Sequence, residues 1–111
     1  MTNVEKADII IKQLGGSKFT AMTGSKNFIA LENGVRMSLA RNISGANMLE
    51  ITIEPMDTYA LRFYKYIRGQ LNKKTLTFTA DKVKEIKTYS GIYADRLQGI
   101  FTEVTGMDTH L

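Results

Sequence analysis

Residues 62–69, RFYKYIRG, interleave three cationic side chains with three aromatic ones before a glycine. Single-stranded nucleic acid binds surfaces of this kind, because bases stack on aromatic rings while Lys and Arg contact phosphates. The same pattern also fits a solvated strand face whose tyrosines pack against cross-strand neighbours. A third interpretation is a protein interface, since exposed aromatic residues beside arginine are frequent anchors of protein contacts.

The segment 62–87 concentrates the positive charge of the chain. It holds eight Lys and Arg residues and two acidic residues, a net of +6, whereas the whole chain carries +4. Such a block favours a polyanionic or acidic partner, although a lysine-rich sheet edge that is only solvated would look the same. The residues predicted to bind nucleic acid or another partner are Lys26, Arg36, Arg62, Tyr64, Lys65, Tyr66, Arg68, Lys73, Lys74, Lys82, Lys84 and Lys87.

Residue types suited to catalysis or metal binding are scarce. The chain has no Cys, which excludes disulfides, thiolate metal sites and cysteine nucleophiles. Its single histidine, His110, is one residue from the end, where chains fray, so we expect neither a histidine zinc site nor Ser-His catalysis. Glu50 and Glu54 would lie roughly 13 Å apart on one strand, too far for a two-carboxylate site. We therefore expect no enzyme, no metal and no cofactor.

Both ends of the chain have the apolar spacing of amphipathic helices. The first begins with a Thr-x-x-Glu capping box, Thr2 to Glu5, and ends at Gly15-Gly16. Its apolar stripe is Val4, Ala7, Ile10, Ile11 and Leu14. The second ends at Gly106, and its stripe is Tyr93, Leu97, Ile100, Phe101 and Val104.

The sequence between these helices alternates with the period of β-strands. KFTAM places Phe19 and Ala21 on one face, and FIALENG ends on Asn33-Gly34, a strong hairpin signal. VRMSLAR and MLEITIE follow as half-buried strands whose inward residues are Val35, Met37, Leu39, Leu49, Ile51 and Ile53.

The strand TYALRFYKYI has two faces of different character. Tyr59, Leu61 and Phe63 are predicted to face the core, and the opposite face, with Ala60, Arg62, Tyr64 and Tyr66, is predicted to face solvent. The next segment, TLTFTADKVKEIKTY, reads as one strand or as two strands around a bend near Ala80-Asp81. We expect Leu76 and Phe78 to face the core.

A run of strands flanked by helices predicts an α+β domain. We expect a single domain over residues 1–111: a helix, an antiparallel meander of five to seven strands, and a second helix. Each helix has one apolar stripe and each strand one apolar face, so both helices should lie on one face of the sheet. The other face would stay wet and carry Arg36, Arg62, Tyr64, Tyr66 and several lysines.

Two stretches, LGGSKFTAMTGSKNF (14–28) and GIYADRLQGIFTEVTG (91–106) followed by MDTHL, resemble a group of small proteins from bacteriophages and other bacterial mobile elements. The resemblance implies a phage or mobile-element origin and brings no activity or catalytic residue. Within it, MTGSKNF (22–28) would place Lys26 at a turn between strands. Consecutive amides in that turn could bind an anion, or its Gly and Asn could simply meet the turn's dihedral demands.

Two functions remain open for a protein of this kind. One is a non-enzymatic accessory protein that binds nucleic acid, and the other is an effector, such as an anti-CRISPR or other anti-defence protein, that binds a host protein. A homodimer formed with YALRFYKYI as an edge strand is a third possibility. The absence of Cys, of a secretory leader and of a long apolar run predicts a cytoplasmic protein of the bacterial host with no membrane partner.

Overall fold

The computed structural model describes residues 2–109; His110 lies outside this range. Three helices are present, α1 Asn3–Leu14, α2 Ser17–Thr23 and α3 Leu97–Thr105, and a 3₁₀ turn, Ala94–Arg96, precedes α3. The strands are β1 Lys26–Leu31, β2 Gly34–Ser38, β3 Met48–Ile53, β4 Tyr59–Ile67, β5 Leu71–Asn72, β6 Thr77–Phe78 and β7 Lys82–Ile92. The predicted α+β class and the order of helix, strands and helix are confirmed.

The main sheet is an antiparallel meander of five strands in the order β1-β2-β3-β4-β7. The short strands β5 and β6, which follow β4 and precede β7 in the chain, form a separate two-stranded sheet. Segment 75–89 is therefore two strands, with the break at residues 79–81 where the bend was predicted. The prediction that YALRFYKYI is an edge strand is wrong, because β4 lies between β3 and β7 and the edges of this sheet are β1 and β7.

One face of the main sheet supplies the core. Side chains of β2, β3 and β4 at alternating positions are fully or almost fully buried, namely Val35, Met37, Leu49, Ile51, Leu61 and Phe63. They form one cluster with Ile10 and Leu14 of α1, Phe19 of α2, and Leu97, Ile100 and Phe101 of α3. The same-parity residues predicted to face inward are thus the ones against which all three helices pack.

Local signals define the ends of α1. The Thr2 hydroxyl accepts from the amide of Glu5 at 3.1 Å, as its capping position requires. At the other end the chain turns through Gly15, whose φ is +126°, and the Gly16 amide donates to the carbonyl of Ile11 at 2.9 Å. This 6→1 bond closes the helix as a Schellman-type C-terminus does. Of the residues in the predicted apolar stripe of α1, Val4 alone is exposed, with 70% of its surface accessible.

The alternation of KFTAM predicted a strand, and this prediction is wrong because the segment is part of α2. Phe19 and Thr23 are four residues apart and both buried, so the apolar pattern of this segment also fits one helical turn. The Phe19 ring meets the ring of Phe101 edge-on at 4.9 Å, a contact that no local pattern contains. Gly24, at φ +67°, ends α2, so MTGSKNF joins a helix to a strand instead of two strands.

Three residues predicted to face the core lie at the surface instead. Leu76 and Phe78 are 79% and 69% exposed, because the β5-β6 pair stands apart from the main sheet and nothing covers it. Tyr93 is 66% exposed, since β7 runs to Ile92 and the helical stripe begins only at Leu97. Within residues 2–109, no helix is both long and apolar enough to cross a bilayer.

Candidate functional site: the outer sheet face and the hairpin arm

The β4-β7 hairpin extends beyond the rest of the sheet. Met48 pairs with Tyr64 at the last step of the β3-β4 ladder, and from Lys65 onward β4 has only β7 as a neighbour. We call residues 65–85, which include β5 and β6, the arm. Every arm residue except Gly69 is exposed. The radius of gyration, 15.4 Å, exceeds the roughly 13 Å expected for a compact chain of this length, in line with a projecting arm.

The side chain of Asn47 marks the point where the arm leaves the sheet. Its Oδ1 accepts from the Tyr66 amide at 2.7 Å, and its Nδ2 donates to the Tyr66 carbonyl at 2.9 Å. These two bonds replace the ladder bonds that a longer β3 would have made. The arm therefore begins with its backbone groups satisfied by a side chain.

A second set of bonds holds the base of the arm through Asp81. The Tyr66 hydroxyl donates to Asp81, and the Gly69 amide donates to its Oδ1 at 2.6 Å. The hydrogen bond from Tyr66, followed by that from Gly69, lowers the pKa of Asp81. Gly69 has no substitute here, because a Cβ would come within 1.9 Å of the Thr79 carbonyl oxygen.

The outer sheet face carries a closed charge network centred on Arg62. Arg36, Glu50 and Arg62 are neighbours in register across β2, β3 and β4. Arg62 forms ion pairs with Glu50 at 3.1 Å and with Glu85 at 2.5 Å. The hydrogen bond with Arg62 lowers the pKa of Glu85 and, reciprocally, raises that of Arg62. Arg62, predicted to contact a partner, is therefore already matched by carboxylates.

Tyr64 was predicted to be exposed and is buried, with 5% of its surface accessible. The Arg62 guanidinium lies over its ring, 4.2 Å from the centroid, and covers the surface a base would stack on. Burial and, second, hydrogen bonding to Glu50 raise the pKa of Tyr64 to about 12. Tyr66 is 41% exposed, so the outer face does not offer a pair of stacking rings.

The register of β4 and β7 separates the lysines from the tyrosines. Tyr64 and Tyr66 pair with Glu85 and Val83 on the outer side of the ribbon. Three other pairs place their side chains on the side of Phe63, which faces the helices: Phe63 with Lys87, Lys65 with Lys84 and Ile67 with Lys82. The lysines and tyrosines that were predicted to share one face therefore lie on opposite faces of the ribbon.

The lysines of the arm have no acidic partner within residues 2–109. Ion pairs in the part of the chain that the structure describes are Lys12–Asp8, Arg62–Glu50 and Arg62–Glu85. The exposed lysines without a carboxylate in reach are Lys65, Lys73, Lys74, Lys82, Lys84 and, just beyond the arm, Lys87. Arg68 lies close enough to Asp81 to help lower the pKa of that carboxyl.

Two predicted site residues lie away from the arm. Lys26 is on β1, at the opposite edge of the sheet, and pairs in register with Ser38. Arg36 is half-buried on the outer face. The arm also exposes large apolar side chains, with Leu71 and Phe78 directly paired between β5 and β6. The others are Ile67, Leu76 and Val83.

Sequence reasoning missed the residues that decide which cations are free. Glu50 and Glu85 neutralise Arg62, while Asp81 and Asn47 fix the arm. For Glu50 a signal was present: a β3-β4 hairpin that pairs Ile53 with Tyr59 must also pair Glu50 with Arg62. For Glu85 none was present, because the register shifts between Phe63 and Tyr64.

Comparisons with family models, with curated proteins and with solved structures gave no match to this chain. Among residues 2–109, no cluster of three or more His, Cys, Asp or Glu side chains is placed to hold a metal ion. The functional assignment therefore depends on the geometry and charge of the two surfaces described above.

Proposed function

We propose that this chain is a non-enzymatic accessory protein of a phage or mobile element that binds nucleic acid through the lysines of its arm. The observation that carries the proposal is the set of five arm lysines, from Lys65 to Lys84, and the neighbouring Lys87, all of which are exposed and have no carboxylate partner among residues 2–109. When unpaired lysines bind a polyanion, they displace the counterions condensed on that polyanion. The release of those ions drives binding.

Duplex nucleic acid fits the arm better than a single strand. A two-stranded β-ribbon is narrow enough to enter the major groove of B-DNA, and the arm is such a ribbon where residues 65–67 pair with residues 82–84. A single strand would gain most from stacked bases, but Tyr64 is buried and the hydroxyl of Tyr66 is bound to Asp81. We therefore expect tighter binding to duplex.

The test is a fluorescence anisotropy titration of double- and single-stranded oligonucleotides at two salt concentrations. The expected result is saturable binding that weakens steeply with salt, at about 0.7–0.9 per phosphate neutralised. The variant Lys82→Gln/Lys84→Gln should lower the salt slope by about 1.4–1.8, the contribution of two contacts. No saturable binding below about 100 μM at low salt, where non-specific contacts register, would refute the proposal.

The matched control is Lys12→Gln/Lys18→Gln, which removes the same charge from α1 and α2. If the arm is the binding surface, the control keeps the parental salt slope apart from a small change in long-range attraction. An equal loss in both variants would mean that net charge alone governs binding, and that the arm has no special role.

A second function is favoured by the apolar side chains of the arm. Leu71, Leu76 and Phe78 are each more than half exposed beside cationic residues, a composition that suits an acidic host protein as the partner of an anti-defence effector. The test of this second function is affinity capture of the tagged protein from host lysate treated with nuclease. The effector function is supported if the parent recovers one host protein, Phe78→Ala does not recover it, and the parent shows no binding in the oligonucleotide titration.

A further inference from the structure

The outer sheet face contains a cleft of about 350 Å³ between β1, β2, β3 and the start of the arm. It lies within the size range of small-molecule sites, about 300–1,000 Å³. We propose that it binds a small anion, a phosphate or carboxylate, that carries a flat apolar body. The residues that line it are Asn27, Ile29, Arg36, Ser38, Met48, Tyr64 and Tyr66.

Among the described residues that line this cleft, Arg36 alone is charged. The nearest carboxylate in register, that of Glu50, is bound by Arg62 at 3.1 Å. Arg36 makes no ion pair among residues 2–109, and its buried Nε has no hydrogen-bond partner there. Because this Nε is closed to solvent, an anion in the cleft would pair instead with the terminal nitrogens of the same guanidinium, through charge-assisted hydrogen bonds.

Two further polar groups in the cleft have only weak partners. The Ser38 hydroxyl donates to the thioether sulfur of Met48 at 3.7 Å, a poor acceptor. The Asn27 amide nitrogen lies 3.4 Å from the Ser38 oxygen, at the long end of hydrogen-bond distances. Both groups can turn toward an oxyanion held by Arg36 without giving up a strong bond.

Apolar surfaces form the rest of the cleft. Ile29 and Tyr66 are 46% and 41% exposed, and Met48 and Tyr64 lie between them. Ile29 is the register partner of Arg36, so an apolar wall stands beside the cation. None of the lining residues in the described part of the chain is acidic. One cation, two weakly bound polar groups and apolar walls match an anion on a flat apolar body better than a bare inorganic ion.

This site does not depend on the proposed function. The cleft is on the outer side of the ribbon, whereas Lys65, Lys82 and Lys84 project from the side that faces the helices. A nucleic acid bound by the lysines would not need to enter the cleft. The two proposals can therefore fail separately, and the variants that test them do not overlap.

The test is an NMR titration of the whole chain with phenyl phosphate and benzoate, and with inorganic phosphate as the probe that lacks an apolar body. The readouts are the backbone amides of Ile29, Met48 and Tyr64 and the side-chain Nε–H of Arg36. We expect these signals to shift together and to saturate with a Kd at or below about 1 mM. Inorganic phosphate should bind about ten times more weakly, because it gains no apolar contact.

Variants decide whether the cleft is the site. Arg36→Gln should weaken phenyl phosphate at least about tenfold, and Arg36→Lys, which keeps the charge and a similar length, serves if the glutamine variant does not fold. Arg96→Gln, an exposed arginine in the 3₁₀ turn, is the matched control and should bind like the parent. Absence of saturation, shifts confined to the arm, or equal binding by both Arg36 variants and the parent would overturn the proposal.

Discussion

Arginine and lysine side chains of the same hairpin meet opposite electrostatic conditions on its two sides. On the outer side Arg62 is bound by two glutamates, and on the other side Lys65, Lys82 and Lys84 have none. All four cations belong to the same basic stretch of the chain, residues 62–87. The difference teaches that a basic stretch marks a binding surface only where strand pairing has not already brought acids to it.

Burial separates the sheet body from the arm as sharply as charge does. In the body, Phe63 and Phe101 are inaccessible to solvent, whereas Phe78 in the arm is 69% exposed. The stability of the domain must therefore come from the body, because burial of apolar area is the main favourable contribution to folding. The arm can therefore carry exposed apolar and cationic residues without weakening the core.

The largest expected effect compares two phenylalanines in these two regions. Phe101→Ala should lower the free energy of unfolding by about 3–5 kcal/mol, because Phe101 is fully buried against Phe19 and Phe63. Phe78→Ala, the same change in the arm, should stay within about 0.5 kcal/mol of the parent. Urea unfolding followed by circular dichroism measures both. Equal losses in the two variants would abolish the distinction between body and arm.

The next prediction, of intermediate size, concerns pH-dependent stability and tests whether the Tyr64 side chain is buried in the sheet body. Its folded pKa of about 12 lies above its ordinary value of 10, so the unfolded chain loses this proton first as pH rises. Stability contributed by the neutral hydroxyl is complete below pH 10 and is lost between about pH 10 and 12, by at most about 2–3 kcal/mol. Denaturant titrations across this range should show the fall.

Tyr64→Phe is the control for that measurement. Only the part of the fall that disappears in the phenylalanine variant belongs to the Tyr64 hydroxyl, because this variant removes that hydroxyl alone. Tyr66→Phe should remove a smaller part of the fall, because the hydrogen bond to Asp81 raises the pKa of Tyr66 at an exposed position. A parental fall that persists unchanged in Tyr64→Phe would mean that this tyrosine is solvated, as the alternation of the strand predicted.

The smallest expected effect is confined to the arm. Asp81→Asn weakens the bonds from Tyr66 and Gly69 that hold its base, so amides of residues 69–80 should exchange faster while those of β2 and β3 keep their protection. Because the pKa of Asp81 is lowered in the folded state, the parent should acquire the same local opening as pH falls through that lowered value. Global loss of protection in the variant would show that arm and body unfold together.

The alternation of apolar residues predicted most of the fold because each strand of the main sheet has one buried face. Val35, Met37, Leu49, Ile51, Leu61 and Phe63 lie where their parity placed them, and Asn33-Gly34 lies at the β1-β2 turn. The same alternation failed at Phe19 and at Phe78. A five-residue pattern cannot distinguish a strand from one helical turn, and an exposed hairpin has no core to which its apolar side must face.

The candidate site was predictable in composition but not in arrangement. The eight cations of residues 62–87 are visible in the chain, but whether each is free depends on which strand lies beside it and in what register. The irregular step between Phe63 and Tyr64 places Glu85 beside Arg62, and the Arg62 guanidinium then covers Tyr64. No local pattern contains that shift.

The sequence by itself determined the class of fold, the strands of the core and the amount of positive charge, because periodicity and composition are local properties that burial must respect. Only the tertiary structure decided that the lysines and tyrosines lie on opposite sides of one ribbon and that Tyr64 is covered. It also decided that Arg36 has no carboxylate partner among residues 2–109. The physical reason is that charge neutralisation and burial depend on neighbours brought together across strands, and those neighbours are set by register.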